Sequence, residues 1–181
     1  IGLVTASGAF TTVQADRTAE VSAAGDGSAL LQLTNGTGVS DSSNADDYVD
    51  QSNGQIEILL DGSGDVDDTG DAGGSGVNLN ARTTVNGLIN VTNQGSQEVQ
   101  LYITTDESEL GNTNSRVVTF HAGQDPAYDT NSNITGSGNP KTLGTGDTIT
   151  LSMEIDTRGE GDISGQDIVD DITIVANESV S

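Results

Sequence analysis

The feature that most constrains this chain is strict period-two alternation, with no helical periodicity competing against it. Thr148 to Asp156 places Ile149, Leu151, Met153 and Ile155 on one side and Thr150, Ser152, Glu154 and Asp156 on the other. Successive side chains of a strand point to opposite faces, so such a segment makes a half-buried β-strand. The same reading predicts strands at Thr18–Ala23, Ala29–Thr34, Gln55–Leu60, Arg116–His121 and Ile168–Ala176. Thr84–Asn93 and Gln97–Thr105 flank the turn-like Gln94-Gly95-Ser96 and read as an antiparallel hairpin. Its inner face would carry Val85, Ile89, Val91, Val99, Leu101 and Ile103. Polar loops are expected at Asn35–Asn53, Asp61–Gly76, Ala122–Gly146 and Thr157–Asp167, with a short helix within Asp41–Asp50. Many strands without βαβ spacing predict an all-β fold: a jelly-roll or immunoglobulin-like antiparallel β-sandwich with long acidic loops.

Composition limits the core and the partners. Of 181 residues only 32% are hydrophobic and five are aromatic (Phe10, Tyr48, Tyr102, Phe120 and Tyr128), so Val, Ile and Leu must fill a thin interior. Net charge is −23, from 20 Asp and 8 Glu against four Arg and Lys141. Carboxylates at this density repel in dilute buffer and are screened near 1 M salt, where the Debye length is about 3 Å. The expected setting is a halophile. Such a surface disfavours nucleic acid and anionic membranes. No stretch approaches the roughly 18 apolar residues that span a bilayer.

With no Cys and one His, disulfides and His/Cys zinc centres are excluded. No Gly-x-Ser-x-Gly elbow is present, and His121, at the end of a strand, is expected to face a loop rather than serve a triad. The chain is therefore expected not to be an enzyme. Asp61, Asp65, Asp67, Asp68 and Asp71 lie in one glycine-spaced loop and are candidate calcium ligands, although their spacing departs from the EF-hand pattern. Asp156, Glu160, Asp162, Asp167, Asp170 and Asp171 form a second acidic group of the same kind. Asn35, Asn90, Asn133 and Asn177 each begin an Asn-x-Ser/Thr sequon, which points to a secreted, extracellular glycoprotein.

The leading segment stands apart from this acidic body. Ile1 to Ala15 carries no charge, and Ile1, Leu3, Val4, Phe10 and Val13 give it an apolar character. Without an initiator Met, it reads as the start of a processed chain. The expected division is a donor strand at 1–13 followed by a sandwich domain at 14–181. Ile1, Leu3 and Thr5 would share one face of the strand, with Val4 on the other and Phe10 and Val13 anchoring its exit. Either it docks into a neighbouring copy, or it folds back as an edge strand of its own domain.

Ser7-Gly-Ala-Phe-Thr-Thr-Val-Gln-Ala-Asp-Arg17, with the following Thr18–Ala23, resembles secreted surface proteins of halophilic archaea. Together with Val91–Ile103 and Gly146–Met153, the chain resembles the TasA/camelysin group of biofilm-matrix proteins and the related archaeal bundling pilins. That resemblance implies a jelly-roll subunit polymerising by donor-strand complementation. The donor would be Ile1–Val13, and the partners would be identical subunits head to tail, with other filaments or cell surfaces beyond them. Some camelysin-like members are labelled metalloproteases; no His-Glu-x-x-His stands here, so that activity does not carry over. The competing expectation is a monomeric cell-surface module binding calcium or glycan through the Asp61–Asp71 loop.

Overall fold

A computed structural model describes residues 18–25, 31–36, 44–51, 56–60, 78, 80–106, 117–159 and 171–178. Among the described residues ten strands and one short helix form in the order β1 (Thr18–Gly25), β2 (Leu31–Asn35), α1 (Asn44–Tyr48), β3 (Val49–Asp50), β4 (Ile56–Leu59), β5 (Arg82–Asn93), β6 (Val99–Thr105), β7 (Val118–Ala122), β8 (Lys141–Leu143), β9 (Thr148–Asp156) and β10 (Asp171–Glu178). They build a six-stranded sheet, β3-β4-β1-β10-β6-β8, and a four-stranded sheet, β2-β5-β9-β7. Pairing is antiparallel except between β1 and β10. The fold is an all-β sandwich.

The core follows from alternation in both sheets. Ile56 and Ile58, Val99, Leu101 and Ile103, and Ile172, Ile174 and Ala176 project from the larger sheet. Val85, Ile89 and Val91, Leu151, Met153 and Ile155, and Phe120 project from the smaller. All are buried. Each fully buried aliphatic or aromatic side chain contributes about 1.5–3 kcal/mol, so this interior works without tryptophan.

The expected hairpin does not form. β5 and β6 belong to opposite sheets, and residues 94–98 carry the chain across the core. The six inner-face residues named from the sequence are buried, but they face one another from two sheets. Asn93, fully buried, makes the corner. Its Nδ2 donates to Gln97 O (2.7 Å) and Leu143 O (3.0 Å), its Oδ1 accepts from Gly95 N (2.9 Å), and its backbone bonds Asp147 O and Gly146 N. These bonds satisfy a sharp crossover that a two-residue hairpin turn would not need.

Three other boundaries move. β8 arises inside the segment expected to be loop, the last strand runs to Glu178, and the helix is limited to Asn44–Tyr48. Within that helix Ala45 is buried, and Val49 follows buried in β3. No helix among the described residues is long and apolar enough to cross a membrane.

Candidate functional site

The two lateral seams of the sandwich differ. At one, residues 132–136 run between the sheets. Ala122 N donates to Ser132 O (2.8 Å) and Ile134 N to Phe120 O (2.9 Å) on the β7 side. Ile103 N donates to Ile134 O (2.9 Å) and Gly136 N to Ile103 O (2.7 Å) on the β6 side. Ile134 is buried, so this strap closes the seam with backbone bonds and an apolar anchor.

A polar network pins the strap from outside. His121 Nδ1 lies 2.9 Å from Ser132 Oγ, and its Nε2 lies 3.0 Å from Thr119 Oγ1. The Tyr128 ring stands 4.9 Å from the imidazole, centroid to centroid, and its hydroxyl donates to Asn86 Oδ1. Tyr128 occupies the left-handed region (φ 51°), which costs a bulky residue roughly 1–2 kcal/mol. Its hydroxyl bond and the Arg82 guanidinium, 6.0 Å from the ring centre and paired with Glu154, hold it there. Burial pushes the Tyr128 phenol up to about 12 and pushes the His121 imidazole down. The backbone N–H groups of Ser132 and Asn131 hold the Asp129 carboxyl below the usual range.

Chemically this network fastens a loop. Ser132 Oγ accepts from Asp129 N and donates to Asp129 O, while the Asp129 carboxylate caps Asn131 N and Ser132 N. The second imidazole nitrogen meets a hydroxyl instead of the carboxylate that would orient a catalytic base. His121 lies buried within β7, one residue before its end, and its Nδ1 meets Ser132 Oγ of the neighbouring loop.

At the opposite seam, among the described residues, α1 packs against β5 and β2 lies against β4. Asn44 Nδ2 donates to Asn86 O (3.0 Å), and Gln51 Nε2 donates to Leu33 O (3.2 Å). Among the described residues β2 is an outer strand of its sheet and pairs with β5 alone. The pairing runs from Leu31↔Asn93 to Asn35↔Ile89, and Gly36 N continues it to Leu88 O at 2.8 Å. Antiparallel ladders alternate, so positions 32, 34 and 36 bond to β5 while the backbone groups of Leu31 and Leu33 point away. The Gln51 bond to Leu33 O agrees with that phase. Leu31 and Leu33 are half-buried against the core, and Gln32 is exposed. At the inner end of the strand, Asn35 Oδ1 is buried without a hydrogen-bond partner.

The sequence-derived candidates fare differently. Ile1, Leu3, Val4, Thr5, Phe10 and Val13 lie outside the described residues, as do Asp61, Asp65, Asp67, Asp68 and Asp71. Of the second acidic group, Asp156 and Asp171 are described, and Arg158 bonds Asp156 and holds its carboxyl down to about 2. No cluster of three metal-ligating side chains occurs among the described residues.

The four sequons separate by geometry. Asn35 has its carboxamide oxygen sealed in. Asn90 is tied into the sheet, its Nδ2 donating to Asn35 O (3.2 Å) and its Oδ1 accepting from Thr150 Oγ1 (2.7 Å). Asn133 Oδ1 accepts from Thr135 N (2.8 Å) in the strap. Asn177 is exposed on β10.

Sequence reasoning missed the Tyr128–His121–Arg82–Glu154 grouping, which β5, β7, β9 and one loop assemble. The one local signal was Asn86-Gly87 inside an otherwise continuous strand, a mark of a bulge. No protein-family model, no curated protein and no solved structure matches the chain.

Proposed function

We propose that this chain is the structural subunit of an extracellular pilus or biofilm-matrix filament of a halophile, joined by donor-strand complementation. The observation that carries the reading is a contrast of charge. Fifteen leading residues are uncharged in a chain of net charge −23, and among the described residues the uncharged strand β2 pairs with β5 alone. Unpaired strand edges attract added strands. When the added strand comes from the next copy, the contact is head to tail and repeats without closing. Ile1, Leu3 and Val4 would each contribute about 1.5–3 kcal/mol on burial, and a backbone ladder would add direction. Apolar contact holds in brine, where long-range charge attraction is screened. The sequons and the acidic surface fit a secreted protein.

The test is deletion of residues 1–10 followed by electron microscopy and size measurement in molar salt. The full chain is expected to form fibres, and the truncated chain is expected to remain monomeric or to aggregate without order. Normal fibres from the truncation refute the mechanism. A full chain that stays a single species of 18.4 kDa favours the monomeric binding module instead.

A further inference from the structure

We infer that Asn177 is the residue of this chain that carries an N-linked oligosaccharide, and that the fold withholds the other three sequons from modification. The inference rests on the secreted-protein reading above and names where the sugar sits. Sequons begin at Asn35, Asn90, Asn133 and Asn177. Attachment joins a carboxamide Nδ2 to the anomeric carbon of a phosphate-activated oligosaccharide. The C–N bond forms as the anomeric C–O bond breaks. The phosphate leaves with that electron pair, and the transferase takes the amide proton. A separate enzyme must therefore reach the carboxamide, engage the hydroxyl two residues on, and leave room for a bulky product.

Three sequons fail that requirement. Asn90 lies in β5, between β2 and β9. Its Nδ2 already donates to Asn35 O (3.2 Å), and its Oδ1 accepts from Thr150 Oγ1 (2.7 Å). Asn35 is half-buried with its Oδ1 sealed in, and Gly36 after it is buried with its N–H on Leu88 O (2.8 Å). Asn133 belongs to the strap. Its Oδ1 accepts from Thr135 N (2.8 Å), Ile134 is buried, and Thr135 Oγ1 accepts from Phe120 N (2.6 Å). Presenting that sequon means lifting the strap off β7.

Asn177 differs on each count. Ile172, Ile174 and Ala176 are buried, so alternation turns Thr173, Val175 and Asn177 to the outer face of the larger sheet. There Asn177 is exposed, and β10 ends one residue later at Glu178. Asn177 pairs with Gln100, and Val175 with Tyr102. Diagonal neighbours across a strand pair lie about 7–8 Å apart, within reach of an aromatic ring, so Tyr102 stands beside the attachment point. Gln100 turns the other way along the sheet, its Nε2 donating to Thr142 Oγ1 (2.9 Å). Gln100, Tyr102, Thr142 and Val175 carry no charge in a chain of net charge −23. The C–H face of a neutral sugar can pack on that ground without displacing a hydrated carboxylate.

Trypsin separates the four candidates. The basic residues are Arg17, Arg82, Arg116, Lys141 and Arg158, so each sequon falls on its own peptide. The full chain is isolated from the medium and surface fraction of the cells that make it, digested, and read by mass spectrometry. Saccharide increments are expected on the peptide that follows Arg158, and on none of the other three. Asn177→Gln and Ser179→Ala are each expected to abolish them and to return the intact protein to its bare chain mass.

Sugar on residues 18–82, 83–116 or 117–141, or a bare chain in the surface fraction, overturns the Asn177 assignment and leaves the secreted-protein reading standing. Increments that survive Asn177→Gln belong to another residue and overturn the assignment in the same way. A chain found only inside the cells overturns both.

Discussion

Tyr128 illustrates how one residue couples a loop to a sheet. Its left-handed backbone costs energy, and its hydroxyl bond to Asn86 and its contact with His121 offset that cost. Because burial raises the phenol to about 12, the folded protein keeps a proton that an unfolded tyrosine releases near pH 10. The stability this residue supplies is fully present below about pH 10 and is lost as pH rises toward about 12. Tyr128→Phe is expected to lower stability at neutral pH by about 1–2 kcal/mol, by orphaning Asn86 Oδ1. It should also flatten the decline of stability above pH 10. Urea unfolding of both proteins at pH 8, 10 and 11.5 measures this, and identical slopes would contradict the role assigned to the hydroxyl.

At the scale of elements, the decisive feature is the bulge in β5. Val85 pairs with Met153 and Ile89 with Leu151, so three residues of β5 oppose Ser152 alone. Gly87 takes φ +70° there, and its N–H is satisfied by Ser152 Oγ (2.9 Å), which in turn donates to Gly123 O (2.7 Å). Ser152 is therefore buried although its position in the alternating pattern places it outside. The bulge also lets Gly36 press against it. A Cβ at Gly36 would sit 1.9 Å from Gly87 O and 2.6 Å from its carbonyl carbon. Those atoms are backbone and cannot rotate away, so Gly36→Ala is expected to destabilise by about 3 kcal/mol. A denaturant midpoint equal to that of the parent would show that β2 does not lie so close to β5.

For the whole molecule, charge sets the conditions under which the fold persists. A net charge of −23 on 18.4 kDa favours expansion at low ionic strength. Raising KCl from 0.1 to 1 M shrinks the Debye length from about 10 Å to about 3 Å. The melting temperature is expected to climb by about 4–8 °C across that range, corresponding to roughly 2 kcal/mol for a chain of this size. The rise should then slacken, because screening saturates once the Debye length is shorter than the spacing between carboxylates. A melting temperature insensitive to KCl would remove self-repulsion from the account. Growth of the proposed filament is expected to follow the same curve, since acidic surfaces must approach before subunits can join.

Local chemistry alone determined much of this protein. Alternation placed Leu101, Leu151 and Ile155 inside, because a strand's side-chain period is independent of its neighbours. Alternation without a helical period marked the all-β class, and composition the acidic character, for similarly local reasons. The tertiary structure decided which strands are partners. Asn93 turned an expected hairpin into a crossover between sheets, and its bonds to Leu143 and Asp147 involve residues some fifty positions away. It likewise decided which edges are sealed, since the strap on β7 and the shortness of β3 and β8 emerge only once the sheets have stacked. Side-chain period is carried by adjacent residues, whereas pairing depends on distant backbone groups finding donors and acceptors after the core has closed.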